Sequence, residues 1–360
     1  MSHASVHRPF RTAALLALVA AAPAFAANTG KQTPPIKLGT SGGSANDISS
    51  QFCCGGTLGS LVTRDGVQYI LSNNHVLARS GIAVTGENII QPGLIDSNCS
   101  ATNDNVVATF PGNIVPLGHN VDTALGKVIA GKVDGTGSIL GVGVPCSTTA
   151  TPTVGLHVEK AGRTTGLTTG TIQAVNVSAT IQYQRGCGVG STFNATYTNQ
   201  VSITPGTFSA GGDSGSLIVS NANSSHHPVA LLFAGSSSVT IGNPISAVVS
   251  AYQSGGHSFG FVGKTCTSLS AQELLVGPSP FEVERARSIK EDHEAELFAR
   301  PGVLGVGVGR VSDDPEETEA AIVIYVNSNG RTLPRNLLAI PAEMDGVKVR
   351  VIPTEPFVAR

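Results

Sequence analysis

From Ile36 to Val262 the hydrophobic positions fall into short runs separated by Gly, Asn, Ser and Pro clusters. "TLGSLVT", "VQYILSN", "NVVATF", "TIQAVNVSATIQY", "QVSITP", "SLIVS" and "PVALLFAG" are rich in Val, Ile and Thr, which suit a pleated, half-buried surface. Helical periodicity is absent until "NPISAVVSAYQ", residues 243–253. Many short strands with polar turns and no strand–helix–strand spacing predict an all-β barrel or sandwich.

The pattern changes near residue 275, after which charged residues become frequent. "SPFEVERARSIKEDHEAELFAR" predicts a helix, with Ser279 as N-cap and Pro280 at the first helical position. "GVLGVGVGRV" and "AAIVIYVN" then read as strands around an acidic turn, and "VKVRVIP" as a third. These elements predict a small α+β domain, residues 281–360, behind a linker at 271–280. The β-rich part is expected to span 27–270. "ILGVGV" at 139–144 recurs as "VLGVGV" at 303–308, but Gly and Val are so frequent that no repeat is inferred.

At the N-terminus, Arg8 and Arg11 precede an apolar run from Thr12 to Ala22, followed by Ala24-Phe25-Ala26. That order is expected of a signal peptide, residues 1–26, and of a secreted or periplasmic protein. The run is too short for a membrane span. The 360 residues carry a net charge of -2 and only 13% charged side chains, so nucleic acid is not an expected partner. Six cysteines, Cys53, Cys54, Cys99, Cys146, Cys187 and Cys266, suit up to three disulfides in an exported chain. Adjacent Cys53 and Cys54 should reach different partners, because a vicinal bridge strains the peptide between them. No C-x-x-C pair is present, and neither a metal nor another cofactor is expected.

"SAGGDSGSLIV", residues 209–219, raises the possibility of chemistry at Ser214. Gly-Asp-Ser-Gly also makes ordinary turns, so Ser214 reads either as a nucleophile or as a turn serine. A nucleophilic serine needs a base within hydrogen-bond reach and a group that fixes the base. Of nine histidines, His75 stands out, because it follows "YILSNN", a strand opening into a turn. Asp122, in "GHNVDTALGKV", opens an apolar strand, where a buried carboxylate would need a partner. The alternative is an Asp capping its own turn. Asp96 and Asp104 compete with it from a polar loop.

The order His75, Asp122, Ser214, with "SNNHV", "DTAL" and "GGDSGS" around them, resembles the chymotrypsin-like serine peptidases. "GRTTGLTTGTI", 162–172, is similar to the segment opening the second barrel in the secreted bacterial branch, the α-lytic protease and streptogrisin type. "CGGTLGSLV", 54–62, is similar to the strand pair before the histidine in animal enzymes. The resemblance covers about 36–262 and implies a double β-barrel. It implies Ser214 as nucleophile, His75 as general base and Asp122 as orienting acid, with the backbone N–H groups of Gly212 and Ser214 forming the oxyanion hole.

The resemblance also implies a substrate pocket near Phe208, Ser209 and Phe233. With no acid at Phe208, a small or medium apolar residue is expected before the scissile bond. Animal relatives bury a new N-terminal amine against the Asp preceding the nucleophile, here Asp213. No basic residue followed by Ile-Val-Gly-Gly is present. As in the α-lytic branch, Lys160 is expected to pair with Asp213, with Arg163 as the fallback.

Four departures stand out. Glu159 and Thr169 occupy positions that usually hold cysteines flanking "GRTTG". Leu77 and Ala78 stand where a Cys often follows the histidine, so Cys54 must pair differently, and a bridge from Cys53 or Cys54 to Cys99 is expected. Ala234 replaces a serine that often bonds the triad acid. Ser216 stands where a second Gly is usual. The leading reading is a secreted serine endopeptidase acting on protein or peptide through an acyl-enzyme. A catalytically weak or inactive trypsin-like binding module is the alternative. A serine esterase is third, although Ser216 breaks its G-x-S-x-G elbow. The C-terminal domain lies outside the resemblance, and docking on or regulation of the catalytic part is its expected role.

Overall fold

A computed structural model of the chain describes residues 27–112, 114–221, 225–269, 277–328 and 340–359. The expected signal peptide and residues 270–276 of the junction lie outside them.

The first sheet contains β1 (Thr40–Ser44), β2 (Gly56–Leu58), β3 (Ser60–Arg64), β4 (Val67–Ser72), β5 (Asn88–Ile90), β6 (Val106–Thr109) and β7 (Ala124–Val128). α1 (Asn74–Leu77) follows β4. β2 and β3 are one run bent at Gly59, β2 pairing with β1 and β3 with β4. Because β4–β7–β6–β5–β1 completes the circuit, the sheet closes into an antiparallel barrel. The bend must be glycine: a Cβ on Gly59 would lie 1.9 Å from the Gly215 carbonyl oxygen of the second barrel. Leu58, Leu61, Ile70, Leu71, Ile89 and Leu125 are among the fully or almost fully buried side chains that fill this part.

The second barrel contains β8 (His157–Gly162), β9 (Gly166–Gln184), β10 (Thr192–Thr204), β11 (Leu217–Ser220), β12 (Pro228–Gly235) and β13 (Thr240–Pro244). The order β9–β10–β13–β12–β11–β8 returns to β9, so this barrel closes as well. α2 (Ile245–Gln253) then leads to β14 (Phe259–Phe261), which crosses back to pair with β3. The all-β double barrel is therefore the chymotrypsin-like arrangement expected from the motifs.

Residues 280–359 form α3 (Pro280–Ala299), β15 (Val303–Arg310), β16 (Ala320–Asn327), β17 (Glu343–Met344), β18 (Val347–Thr354) and β19 (Phe357–Ala359). α3 starts as its sequence predicts: Ser279 Oγ accepts from Glu282 N at 3.3 Å, and Glu282 Oε2 accepts from Ser279 N at 3.0 Å, with Pro280 in the first turn. These α+β elements do not make a sheet of their own. β15 pairs with β9 over Ala174–Ala179. β9 has 19 residues, far more than β8 can cover, so its edge stays open beyond Thr171 and β15 takes it. Gly307 and Gly309 permit the approach: Cβ atoms there would lie 2.8 Å from Val177 and 2.5 Å from the Gln173 carbonyl. The core is shared too. Tyr183, Tyr197 and Phe233 of the barrel cluster with Val323, Tyr325 and Phe357, and the Tyr325 and Ser202 hydroxyls lie 2.6 Å apart.

Three disulfides are present: Cys53–Cys99, Cys54–Cys187 and Cys146–Cys266. The vicinal cysteines reach different partners, as their geometry requires, and Cys54 ties the first barrel to the second. Glu159 and Thr169 lie directly opposite each other in the β8–β9 ladder, so the two expected cysteine positions are a cross-strand pair here. Among the described residues no helix is long and apolar enough to cross a membrane.

Candidate active site

Asp122 precedes β7 and is fully buried. Its Oδ2 lies 2.6 Å from His75 Nδ1. Its Oδ1 accepts from the backbone N–H groups of Asn74 at 2.7 Å and His75 at 3.3 Å. The carboxylate thus caps the first turn of α1 and orients the imidazole that the turn carries. From the second barrel, Asn243 Oδ1 accepts from Asp122 N at 3.0 Å, and Gln200 in turn accepts from Asn243 at 2.6 Å. The competing acids are engaged elsewhere. Asp96 accepts from Arg163 Nε and Nη2 at 2.6 and 2.7 Å, and Asp104 lies 3.7 Å from Lys31.

Tyr183 was not singled out from the sequence. Its hydroxyl donates to Asp122 Oδ2 at 3.0 Å and lies 2.8 Å from the Tyr197 hydroxyl. Tyr183 therefore gives the buried Asp122 carboxylate a donor from β9. Burial pushes the Tyr183 phenol far above its ordinary value, and the Asp122 charge adds to that. The phenol stays a neutral donor. No local signal marks it, because a tyrosine at the end of a Val/Ile/Thr strand is ordinary strand composition.

Ser214 lies at the head of β11, in a loop pinned by both barrels. Thr57 N donates to Ser214 O at 2.8 Å, and Thr57 Oγ1 to Gly212 O at 3.0 Å. Gly212 has φ +98°, and a Cβ there would lie 2.5 Å from Thr164 Oγ1. Thr164 Oγ1 donates to the Gly211 carbonyl at 2.6 Å. A planar trans amide then directs the Gly212 N–H to the opposite side. The Ser214 hydroxyl donates to the Phe233 carbonyl at 3.2 Å, and Ser214 has 0% solvent exposure.

Asp213 and Lys160 are both fully buried, with Nζ 3.5 Å from Asp213 Oδ2. Asp213 Oδ1 accepts from Thr164 N at 2.8 Å and Thr165 N at 3.1 Å. Its Oδ2 accepts from Thr165 Oγ1 at 2.7 Å and Ala210 N at 2.9 Å. The Lys160 ammonium also donates to Thr165 Oγ1 and, at 3.0 Å, to the Gly166 carbonyl. Burial lowers its pKa to about 8, with Asp213 pulling the other way. Arg163 is committed to Asp96 and does not take the fallback role.

Of the expected pocket neighbours, Ser209 lines an open cavity and lies 2.6 Å from Thr240 Oγ1. The Phe208 ring lies under Lys160 in an apolar cluster with Leu156 and Ile172, and the Phe233 ring packs against Tyr197 at a tilt of 57°. Both rings are directed into the core. A second cavity, of about 260 Å³, is lined by His75, Asp47, Arg79, Tyr183, Cys187 and Ala359. Burial raises the Asp47 carboxyl to about 6, against the pull of Arg79 and His75. Among the described residues, two groups of three metal-ligand residue types occur, around Cys146–Cys266 and Cys54–Cys187, but their sulfurs are spent in the disulfides.

A family model described as the Nal1 C-terminal domain matches residues 94–242. No curated protein matches the chain. Several solved structures similar to it are described as proteases. One is described as a glutamic acid specific serine protease that uses a histidine triad in substrate binding. It is 22% identical, with a TM-score of 0.43, over 63% of this chain and 100% of that one. Protease A of Thermobifida fusca is 18% identical, with a TM-score of 0.41, over 64% of this chain and 99% of its own. An α-lytic protease homologue, N4, is 19% identical, with a TM-score of 0.40, over 60% and 96%.

Proposed function

We propose that the chain is a secreted serine endopeptidase. The observation that carries this reading is the 2.6 Å bond from Asp122 to His75 Nδ1, which fixes the imidazole against a cavity of about 260 Å³. In this reading His75 takes the Ser214 proton as the hydroxyl attacks a peptide carbonyl, and later returns it to the leaving amine. The Gly212 and Ser214 N–H groups receive the developing oxyanion, and water then releases the acyl group. Lys160 neutralises Asp213 so that the loop needs no new N-terminus. A small or medium apolar residue is expected before the scissile bond. Residues 27–270 form the catalytic unit and 281–360 the added α+β part, with the junction at 271–280. The three disulfides suit an oxidising compartment, in keeping with export to the periplasm or beyond.

One observation favours the alternative of a weak or inactive binding module: the complete burial of Ser214. A fluorophosphonate probe separates the two readings. Labelling of the wild type that Ser214→Ala abolishes supports the enzyme, and an unlabelled, folded wild type supports the binding module. Casein against short-chain esters then separates a peptidase from an esterase.

A further inference from the structure

Along one edge of β12, four neighbours follow in order. β11 pairs with Pro228–Leu231. Leu232 exchanges backbone bonds with the nucleophile loop, Gly215 N donating to it at 2.9 Å and Ser216 O accepting from it at 3.0 Å. The Phe233 carbonyl accepts from Ser214 Oγ. Ala234 and Gly235 then pair with Ala359 and Val358 of β19. The next peptide along this edge after the nucleophile is therefore β19. The pairing is antiparallel, so β19 runs toward Ser214 as it approaches Ala359.

The other edge of β19 lies parallel to β9, Phe357 opposite Ile181 and Val358 opposite Gln182. β8 has ended by then on β9, and β11 on β12. A slot lined by backbone groups on both sides is thus left in the barrel wall, and β19 fills it. Ala359 lines the cavity that holds His75, and also the cavity with Ser209, Ala210 and Gly211. It stands between the base and the glycine loop. Phe357 is anchored in the shared core at 1% exposure, whereas Val358 is 40% exposed.

We propose that this slot is the substrate-strand site and that residues 358–359 occupy it in cis, so that a peptide substrate must displace them. The proposal rests on the endopeptidase reading. Its ligand is an extended peptide with a small apolar residue opposite Ala234, held by strand addition to β12. Because the occupant is tethered a few residues from β18, it competes at a high effective concentration, on the order of millimolar. Activity is reduced by the fraction of molecules whose slot is filled.

The test compares the full-length chain with two variants. Deletion of residues 358–360 empties the slot but keeps the Phe357 anchor. Val358→Pro keeps the segment but spoils its ladder geometry, and it carries the test if the deletion does not fold. Hydrolysis of a Phe-Val-Ala p-nitroanilide is expected to rise about tenfold or more in kcat/KM in both variants. A fluorescein-labelled peptide of sequence TEPFVAR should bind the deletion variant and not the full-length chain. If the folded variants hydrolyse the anilide no faster than full-length chain and the peptide binds neither form, the slot is not the substrate site, although the enzyme reading stands. If no form hydrolyses the anilide or reacts with fluorophosphonate, yet the peptide binds only the deletion variant, the endopeptidase reading falls and the slot remains a peptide site.

Discussion

The two barrels close in different ways, and the difference separates two tasks. The first seals its wall with its own strands, turning at Gly59 to complete the ring. Asp122 and α1 sit on that finished wall, held by Asn243 and Tyr183 from across the interface. The second closes around β8–β13, yet beyond the ends of β8 and β11 its own strands leave a gap next to Ser214, which β19 fills. A rigid wall suits an acid and a base that must keep their geometry. A wall missing one strand suits a site that must accept one.

The largest test of this division removes Ser214, the proposed nucleophile. Ser214→Ala should lower turnover on the order of 10⁴-fold or more, with thermal unfolding unchanged. His75→Ala and Asp122→Ala should also lose most activity from the other side of the cleft. An Asp122→Ala enzyme near wild-type turnover would detach the first barrel from catalysis.

Lys160→Met comes next, because it leaves Asp213 charged and buried. Breaking such a pair costs about 3–5 kcal/mol, and the Gly212 loop should loosen with it. Turnover should fall more than substrate affinity does. Steady-state kinetics showing the reverse would give Lys160 a purely structural place. In the wild type, Lys160 ionises at about 8, below its ordinary 10.5. The folded chain therefore releases this proton before the unfolded one does. Stability should rise with pH between these values, while activity falls as the pair is lost. A pH–rate profile with no alkaline limb near 8 would count against the pair.

Tyr183→Phe should cost less. It deletes one hydrogen bond to a charged group, worth roughly 1.5–3 kcal/mol, and should lower kcat about tenfold to a hundredfold. An unchanged kcat would mean that Asp122 is held well enough without the phenol. Asp47→Asn should have the smallest effect. The folded Asp47 holds its proton up to about 6, against 3.8 in the unfolded chain, so it makes stability fall as pH rises through that window. The variant should flatten that part of the pH profile of the unfolding midpoint.

The residues that the sequence singles out carry local signals. His75, Asp122 and Ser214 each sit at a strand boundary inside a short motif, and Ser279 with Glu282 is a capping box written four residues wide. Phe208 and Phe233 show the limit: chain position places a residue near a site, but not its ring, and both rings turn into the core. Tyr183 and β19 depend on pairings between residues far apart. Nothing near Val358 says that its neighbours are Gln182 and Gly235. The charged helix and its strands read as a separate domain because their composition shifts. The unpaired edge of an overlong β9 is a property of the assembled sheet.

That overlong strand makes β9 a common rail for the barrel and the α+β layer, and it binds their histories together. An appendage joined by a linker can be gained, lost or exchanged as a cassette. Here removal would strip the edge from Ala174 to Gln182 and open the aromatic core around Tyr183, the residue that bonds Asp122. The layer and the geometry around Asp122 must therefore change together, and a chimera exchanging residues 277–359 would have to bring its own β9.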